Sequence, residues 1–142
     1  MNNNCLLAQT VQVPTMVGGK FEYKEYDAEV GTIFKTFLGF ERDHNWFSFA
    51  IEIEDPYHGH GRSTGYRGLD MSPKSMALIR EIIKTVGGEY SNFSSLVGKP
   101  AVLMRDRDAS AVPVGIASPV TGKYCLFATD YSIEEEKVDV PF

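Results

Sequence analysis

Two adjacent runs constrain the fold of this chain more than anything else in it. Trp46 to Glu54 alternates strictly, with Trp46, Ser48, Ala50, Glu52 and Glu54 on one side and Phe47, Phe49, Ile51 and Ile53 on the other. That is the period of two that a half-buried strand requires. Ahead of it, Val30 to Glu41 is dense in β-branched and aromatic residues: Val30, Thr32, Ile33, Phe34, Thr36, Phe37 and Phe40. Arg42-Asp43-His44-Asn45 between them reads as a polar turn, and the whole as a β-hairpin. Burying the side with Phe47, Phe49, Ile51 and Ile53 contributes about 2 kcal/mol per side chain. The rest of the chain must supply a cover for that face.

A cover follows in the sequence. Asp55-Pro56 ends the second strand, since proline has no N–H for the ladder. Ser72-Pro73 opens a helix, with serine as N-cap and proline at the first helical position. Met76, Ile79, Ile83 and Val86 recur at helical spacing, Leu78 and Ile82 widen the stripe, and Gly87-Gly88 stops the helix. Tyr90 to Val97 reads as a loop with one helical turn that docks Phe93 and Leu96 on the core. Ala101–Met104, Val112–Ala117 and Tyr124–Thr129 read as an antiparallel meander, and Lys20–Glu29 as a further short strand. The expected class is α+β: an antiparallel sheet of about five to six strands packed on one main helix over residues 73–86. The expected organisation is a loosely ordered leader over residues 1–18, within which Leu6, Leu7, Val11 and Val13 could form an edge strand. A single domain over residues 19–131 and an acidic tail over residues 132–142 complete it.

Charge is unevenly placed. The net charge is −5, yet residues 62–107 hold eight basic side chains against four acidic ones. An anionic ligand suits that middle segment, while the acidic remainder argues against general nucleic-acid binding. Cys5 and Cys125 stand at opposite ends and fit no metal or redox spacing, which argues for a reducing compartment. The first ten residues lack the basic and apolar regions of a secretory signal, and no segment reaches the roughly 20 apolar residues of a membrane span. The expectation is a cytoplasmic protein with no membrane association; a homo-oligomer is left open.

The chemistry-bearing residues gather between Asp55 and Met71, a stretch with two of the three histidines and four of the thirteen glycines. Gly59, Gly61, Gly65 and Gly68 with Arg62, Ser63, Thr64 and Arg67 have the composition of an anion cradle: converging backbone N–H groups, hydroxyl donors and bidentate guanidinium groups. The helix starting at Ser72-Pro73 would add its positive end. The spacing matches neither the dinucleotide nor the Walker pattern, so a flexible connection whose glycines only permit positive φ stands beside that reading. Tyr57 and Tyr66, with Trp46 near in sequence, suit either a stacked base or a protein hot spot. The candidate binding residues are therefore Tyr57, Arg62, Ser63, Thr64, Tyr66 and Arg67. No cofactor is expected, and no metal site; His58, His60, Asp55 and Asp70 form the alternative, a metal-dependent hydrolase. No nucleophile motif occurs, which leans the reading away from an enzyme.

Leu38-Gly39-Phe40-Glu41, the segment ending Gly68-Leu69-Asp70, the helix with Ile79, Ile82 and Ile83, and Leu96-Val97-Gly98-Lys99-Pro100 occur in an order that resembles a family of small accessory proteins of bacteriophage and prophage genomes. The resemblance covers about Ile33 to Val102; Arg62 stands where that family's loop carries glutamine, and Phe93 where it carries tryptophan. It implies a phage or mobile-element accessory protein, of a kind often associated with host takeover or counter-defence. The expected function is that of a non-enzymatic protein in the host cytoplasm that counters host defence by binding a defence protein or by sequestering a phosphate-bearing signalling nucleotide. A virion structural component is the remaining alternative.

Overall fold

A computed structural model describes residues 7–41, 46–54, 62–89, 92–106 and 112–131. Among the described residues, the hairpin sits at the middle of a seven-stranded antiparallel sheet accompanied by one α-helix. The strands are β1 (Leu7–Val17), β2 (Lys20–Phe40), β3 (Phe47–Glu54), β4 (Arg62–Leu69), β5 (Pro100–Asp106), β6 (Pro113–Ala117) and β7 (Tyr124–Leu126). The helix α1 spans Pro73–Val86, and Phe93–Leu96 is a 3₁₀ turn. Neighbours run β4-β3-β2-β5-β6-β7, and β1 also pairs with β2.

The strand count exceeds the expected five to six because β1 and β4 occupy segments expected as a leader and a glycine loop, although merging within β2 removes one strand. β2 is 21 residues long and absorbs both the short strand expected over Lys20–Glu29 and the first hairpin strand. The register steps from Ile33 opposite Ile53 to Lys35 opposite Glu52, leaving Phe34 as an extra residue on β2. Such a bulge reverses which residues face the core. Ile33 faces inward before it, and Thr36 and Leu38, opposite Ile51 and Phe49, face inward after it. A single strand thus reads in sequence as two incompatible alternations. The segment left open between a leader and an edge strand is β1, paired with β2 from Leu7 opposite Val30 to Val17 opposite Lys20.

β2 organises its neighbours along its length. Thr32 pairs with both Glu54 and Pro100, so β3 and β5 flank opposite edges. Val30 pairs with both Leu7 and Val102, which places β1 on the same edge as β3, farther toward the start of β2. Among the described residues, β2 from Lys20 to Glu25 pairs with β1 alone, forming a two-stranded arm. Pro14, Met16, Phe21 and Tyr23 share one face of that arm, all exposed, with the Phe21 and Tyr23 rings edge-to-face at 5.4 Å.

The inner face of the sheet carries the main core. Phe49, Ile51 and Ile53, each 0% exposed, join Ile33, Leu103 and Ile116 in one buried cluster. That cluster also contains Leu78, Ile79, Ile82, Ile83 and Val86 of α1 and Phe93 and Leu96 of the 3₁₀ turn. Met76, expected in the helix stripe, is exposed; the buried side runs through Ser75, Leu78, Ile79, Ile82, Ile83 and Val86. A second cluster, on the opposite face, joins Val13 of β1 to Tyr26, Ala28, Val102, Met104 and Ala117. The sheet is curled: a Cβ added at Gly65 of β4 would lie 3.1 Å from Leu103 of β5, although two strands separate them in the ladder.

The helix ends are set by backbone chemistry. At the start, the Ser72 side chain makes no capping bond. Asp70 instead braces the turn that leads into the helix: its Oδ1 accepts from the Ser72 N–H at 3.0 Å, from the Ser72 hydroxyl, and from the Ser75 hydroxyl at 3.0 Å. At the other end Gly87 adopts φ 96°, and its N–H reaches Ile83 O at 2.9 Å. Among the described residues, no helix is long and apolar enough to cross a membrane.

Candidate functional site

The segment expected as a glycine loop is, from Arg62 to Leu69, a regular strand paired with β3 from Glu54 opposite Arg62 to Phe47 opposite Leu69. Its described glycines, Gly65 and Gly68, do not take positive φ; Gly18, Gly19, Gly87, Gly98 and Gly122 do. Alternation along β4 then divides the expected binding residues between two faces. Ser63, Gly65 and Arg67 fall opposite Ile53, Ile51 and Phe49, on the inner side. Thr64, Tyr66 and Gly68 fall opposite Glu52, Ala50 and Ser48, on the outer side. A cradle in which Ser63, Thr64 and Arg67 converge on one anion is incompatible with this strand. Tyr57, Asp55, His58 and His60 lie outside the described residues, as do Gly59 and Gly61, and of Arg62 only the backbone pairing is described.

On the inner side, Ser63 is spent on structure. Its hydroxyl donates to Glu29 Oε1 at 2.9 Å and accepts from Arg105 Nη2 at 2.7 Å, while Arg105 Nε donates to the same Glu29 oxygen at 2.6 Å. This half-buried cluster ties β4 to β2 and β5 across the mouth of the curled sheet. Arg67 is exposed and lines a cleft of about 270 Å³ with Asp70, Lys74, Ser75, Thr129 and Asp130. Lys74 pairs with Asp130 at 3.3 Å. The Ser72 hydroxyl, its N–H and the Ser75 hydroxyl hold the Asp70 carboxyl below its ordinary value. The positive end of α1, which a phosphate would use, therefore already faces a carboxylate.

The outer side brings aromatic residues together instead. Tyr66 crosses from β4 to the end of β2, where its hydroxyl donates to Glu41 Oε2 at 2.5 Å. Trp46 Nε1 donates to the same oxygen at 2.5 Å. The hairpin turn brings Glu41 and Trp46 together, with the Glu41 N–H bonded to Trp46 O at 2.8 Å. Phe37 stands in the same row as Ala50 and Tyr66, and its ring tip lies 3.6 Å from where a Cβ on Gly39 would be. Trp46, Tyr66 and Phe37 remain 51%, 40% and 39% exposed. At the centre, Ser48 is 0% exposed, and its hydroxyl lies close to Tyr66 but makes no hydrogen bond of good geometry.

Tyr66 and Trp46 were legible in the sequence as rings near the segment. Glu41, Phe37 and Ser48 were not, although the closing position of a hairpin is a signal that could have linked Glu41 to Trp46. Donation to Glu41 raises the Tyr66 hydroxyl above its ordinary value, with desolvation and the carboxylate charge acting in the same direction. Burial pushes the Cys125 thiol up to about 12 and the Tyr131 hydroxyl up as well. These groups are held in their neutral, proton-bearing forms, suited to donating hydrogen bonds rather than to nucleophilic attack. Among the described residues, no group of three or more His, Cys, Asp or Glu side chains could hold a metal ion. Compared with family models, characterised proteins and solved structures, the chain matches none.

Proposed function

We propose that this chain is a non-enzymatic binding protein that docks a protein partner through the outer-face rings around Tyr66. The observation that carries this is the set of Phe37 on β2, Tyr66 on β4 and Trp46 just ahead of β3, large rings left half exposed, with Trp46 and Tyr66 meeting at Glu41. Rings of this kind are the usual anchors of protein interfaces. The resemblance to phage and prophage accessory proteins supports the finer reading, that the partner is a defence protein in the cytoplasm of a bacterial host. The α+β scaffold expected from the sequence, with α1 against the inner face, would leave the outer face available. Sequestration of a phosphate-bearing nucleotide is less well supported, because the cleft at Arg67 also holds Asp70 and Asp130.

Affinity capture from bacterial host cells, followed by mass spectrometry of bound proteins and nucleotides, tests this. The wild-type chain is expected to retain a specific protein, and Trp46→Ala with Tyr66→Ala to weaken that retention by at least about tenfold. Arg62→Ala with Arg67→Ala is expected to leave it unchanged. Capture of a nucleotide that is lost in the arginine variant would replace this reading with the nucleotide one.

A further inference from the structure

We propose that the cavity between α1 and the β6–β7 turn binds a phosphomonoester of a ring polyol, of the kind found in sugar phosphates and nucleotides. The cavity holds about 440 Å³ and is lined by Glu81, Lys84 and Thr85 of the helix and by Thr121, Lys123 and Tyr124 after β6. That volume falls within the range of small-molecule sites. The site goes beyond the docking reading and shares no residue with the outer-face rings or with the cleft at Arg67.

Charge selects the anionic group. Lys84 and Lys123 come from different elements and line the same space. Among the described residues, neither forms an ion pair, and neither does Glu81. The carbonyl end of α1 accounts for Lys84, in the last turn of the helix, but not for Lys123. Two ammonium groups match a phosphomonoester, with a charge of about −2 at neutral pH, better than a carboxylate. The cleft at Arg67 differs, since its Lys74 is already paired with Asp130.

Glu81 sets the rest of the ligand. A carboxylate beside the lysines disfavours a bare anion and calls for hydroxyl groups that donate to it. Thr121 adds a donor: its Oγ1 accepts from the Lys123 N–H at 3.2 Å, which leaves the hydroxyl proton to give. Tyr124, 38% exposed, offers a ring for the apolar side of a sugar or for a base. The turn is held in advance. Ser118 O accepts from the Gly122 N–H at 2.9 Å, and Ser118 Oγ from the Val120 and Thr121 N–H groups at 3.2 and 3.3 Å. Binding therefore requires little ordering of that wall.

Isothermal titration calorimetry with myo-inositol 1-phosphate and with adenosine 5′-monophosphate tests this. At least one is expected to bind saturably, and at least about tenfold more tightly than inorganic phosphate, myo-inositol or adenosine. The tighter of the two identifies the ring that the site prefers. Lys84→Gln with Lys123→Gln is expected to weaken binding by at least about tenfold. Lys20→Gln with Lys99→Gln, the same change of charge away from the cavity, is expected to alter it by less than about twofold. Glu81→Gln is expected to weaken it about threefold, because an amide accepts fewer hydroxyl donors than a carboxylate. Unchanged melting curves confirm that each variant is folded. Equal loss in the two lysine pairs, or binding no tighter than that of inorganic phosphate, overturns the proposal. Tighter binding by Glu81→Gln also overturns it, since the carboxylate would then only repel the ligand.

Discussion

Gly65 and Gly68 show how differently one residue type is used within a single strand. A methyl group at Gly65 would press to 3.1 Å from Leu103 Cδ2 and 3.6 Å from the Phe127 ring, inside the core. Leu103 is 0% exposed and has little room to yield, so Gly65→Ala is expected to destabilise the fold by about 1 kcal/mol. A methyl group at Gly68 meets nothing within 4 Å, and its φ is not positive. Gly68→Ala is therefore expected to stabilise by about 0.5 kcal/mol through the entropy of the unfolded chain. Urea midpoints measured on both variants check the pair; equal effects would mean that β4 does not approach β5. The sequence presents these glycines as turn formers, because two of them beside arginine and serine depress β propensity. Only the partner strand and the core reveal that one is a close-approach glycine and the other an open position.

At the scale of the element, the start of α1 depends on a residue two places before the expected cap. Asp70 serves three donors, two of which, the N–H and the hydroxyl, belong to Ser72 itself. Asp70→Ala is expected to lower the melting temperature at neutral pH by on the order of 5 °C. Because the folded state depresses the Asp70 pKa, its contribution is present above the unfolded value near 3.8 and is lost as pH falls through the folded value. The melting-temperature gap between wild type and Asp70→Ala should accordingly shrink as the pH is lowered below about 4. A gap independent of pH would assign the role to the neutral side chain. The helix itself, Pro73–Val86 with its glycine stop, was readable from periodicity and proline placement, as was the β3 face with Phe49, Ile51 and Ile53. What periodicity could not supply is the continuity of β2, because Phe34 reverses the alternation midway.

At the scale of the whole molecule, closure of the curled sheet depends on Glu29, Ser63 and Arg105, from three strands far apart in sequence. Glu29 and Arg105 side chains are each 26% exposed, so their attraction is only partly screened. A double-mutant cycle on Glu29→Ala and Arg105→Ala is expected to give a coupling of about 1 kcal/mol that falls with added salt. Zero coupling would show that the three strands close without this tie. None of it was visible from local sequence, where Ser63 read as a phosphate donor and Glu29 as the end of a separate strand. Long-range pairing reassigns such residues, and it likewise places Glu41 between the Trp46 and Tyr66 side chains.

The unbroken run of β2 has a mechanical meaning. At about 3.3 Å per residue, 21 residues would span roughly 70 Å if straight, against a radius of gyration of about 14 Å for a chain of 142. The strand thus serves as a beam, with the arm at one end and Phe37 and the lead into Glu41 at the other. A load applied at the arm runs along the strand in shear, shared among the ladder bonds to β3 and β5, instead of peeling them one at a time. The Phe21–Tyr23 end is therefore connected in tension to the ring cluster by one continuous strand backbone, which passes through the bulge at Phe34.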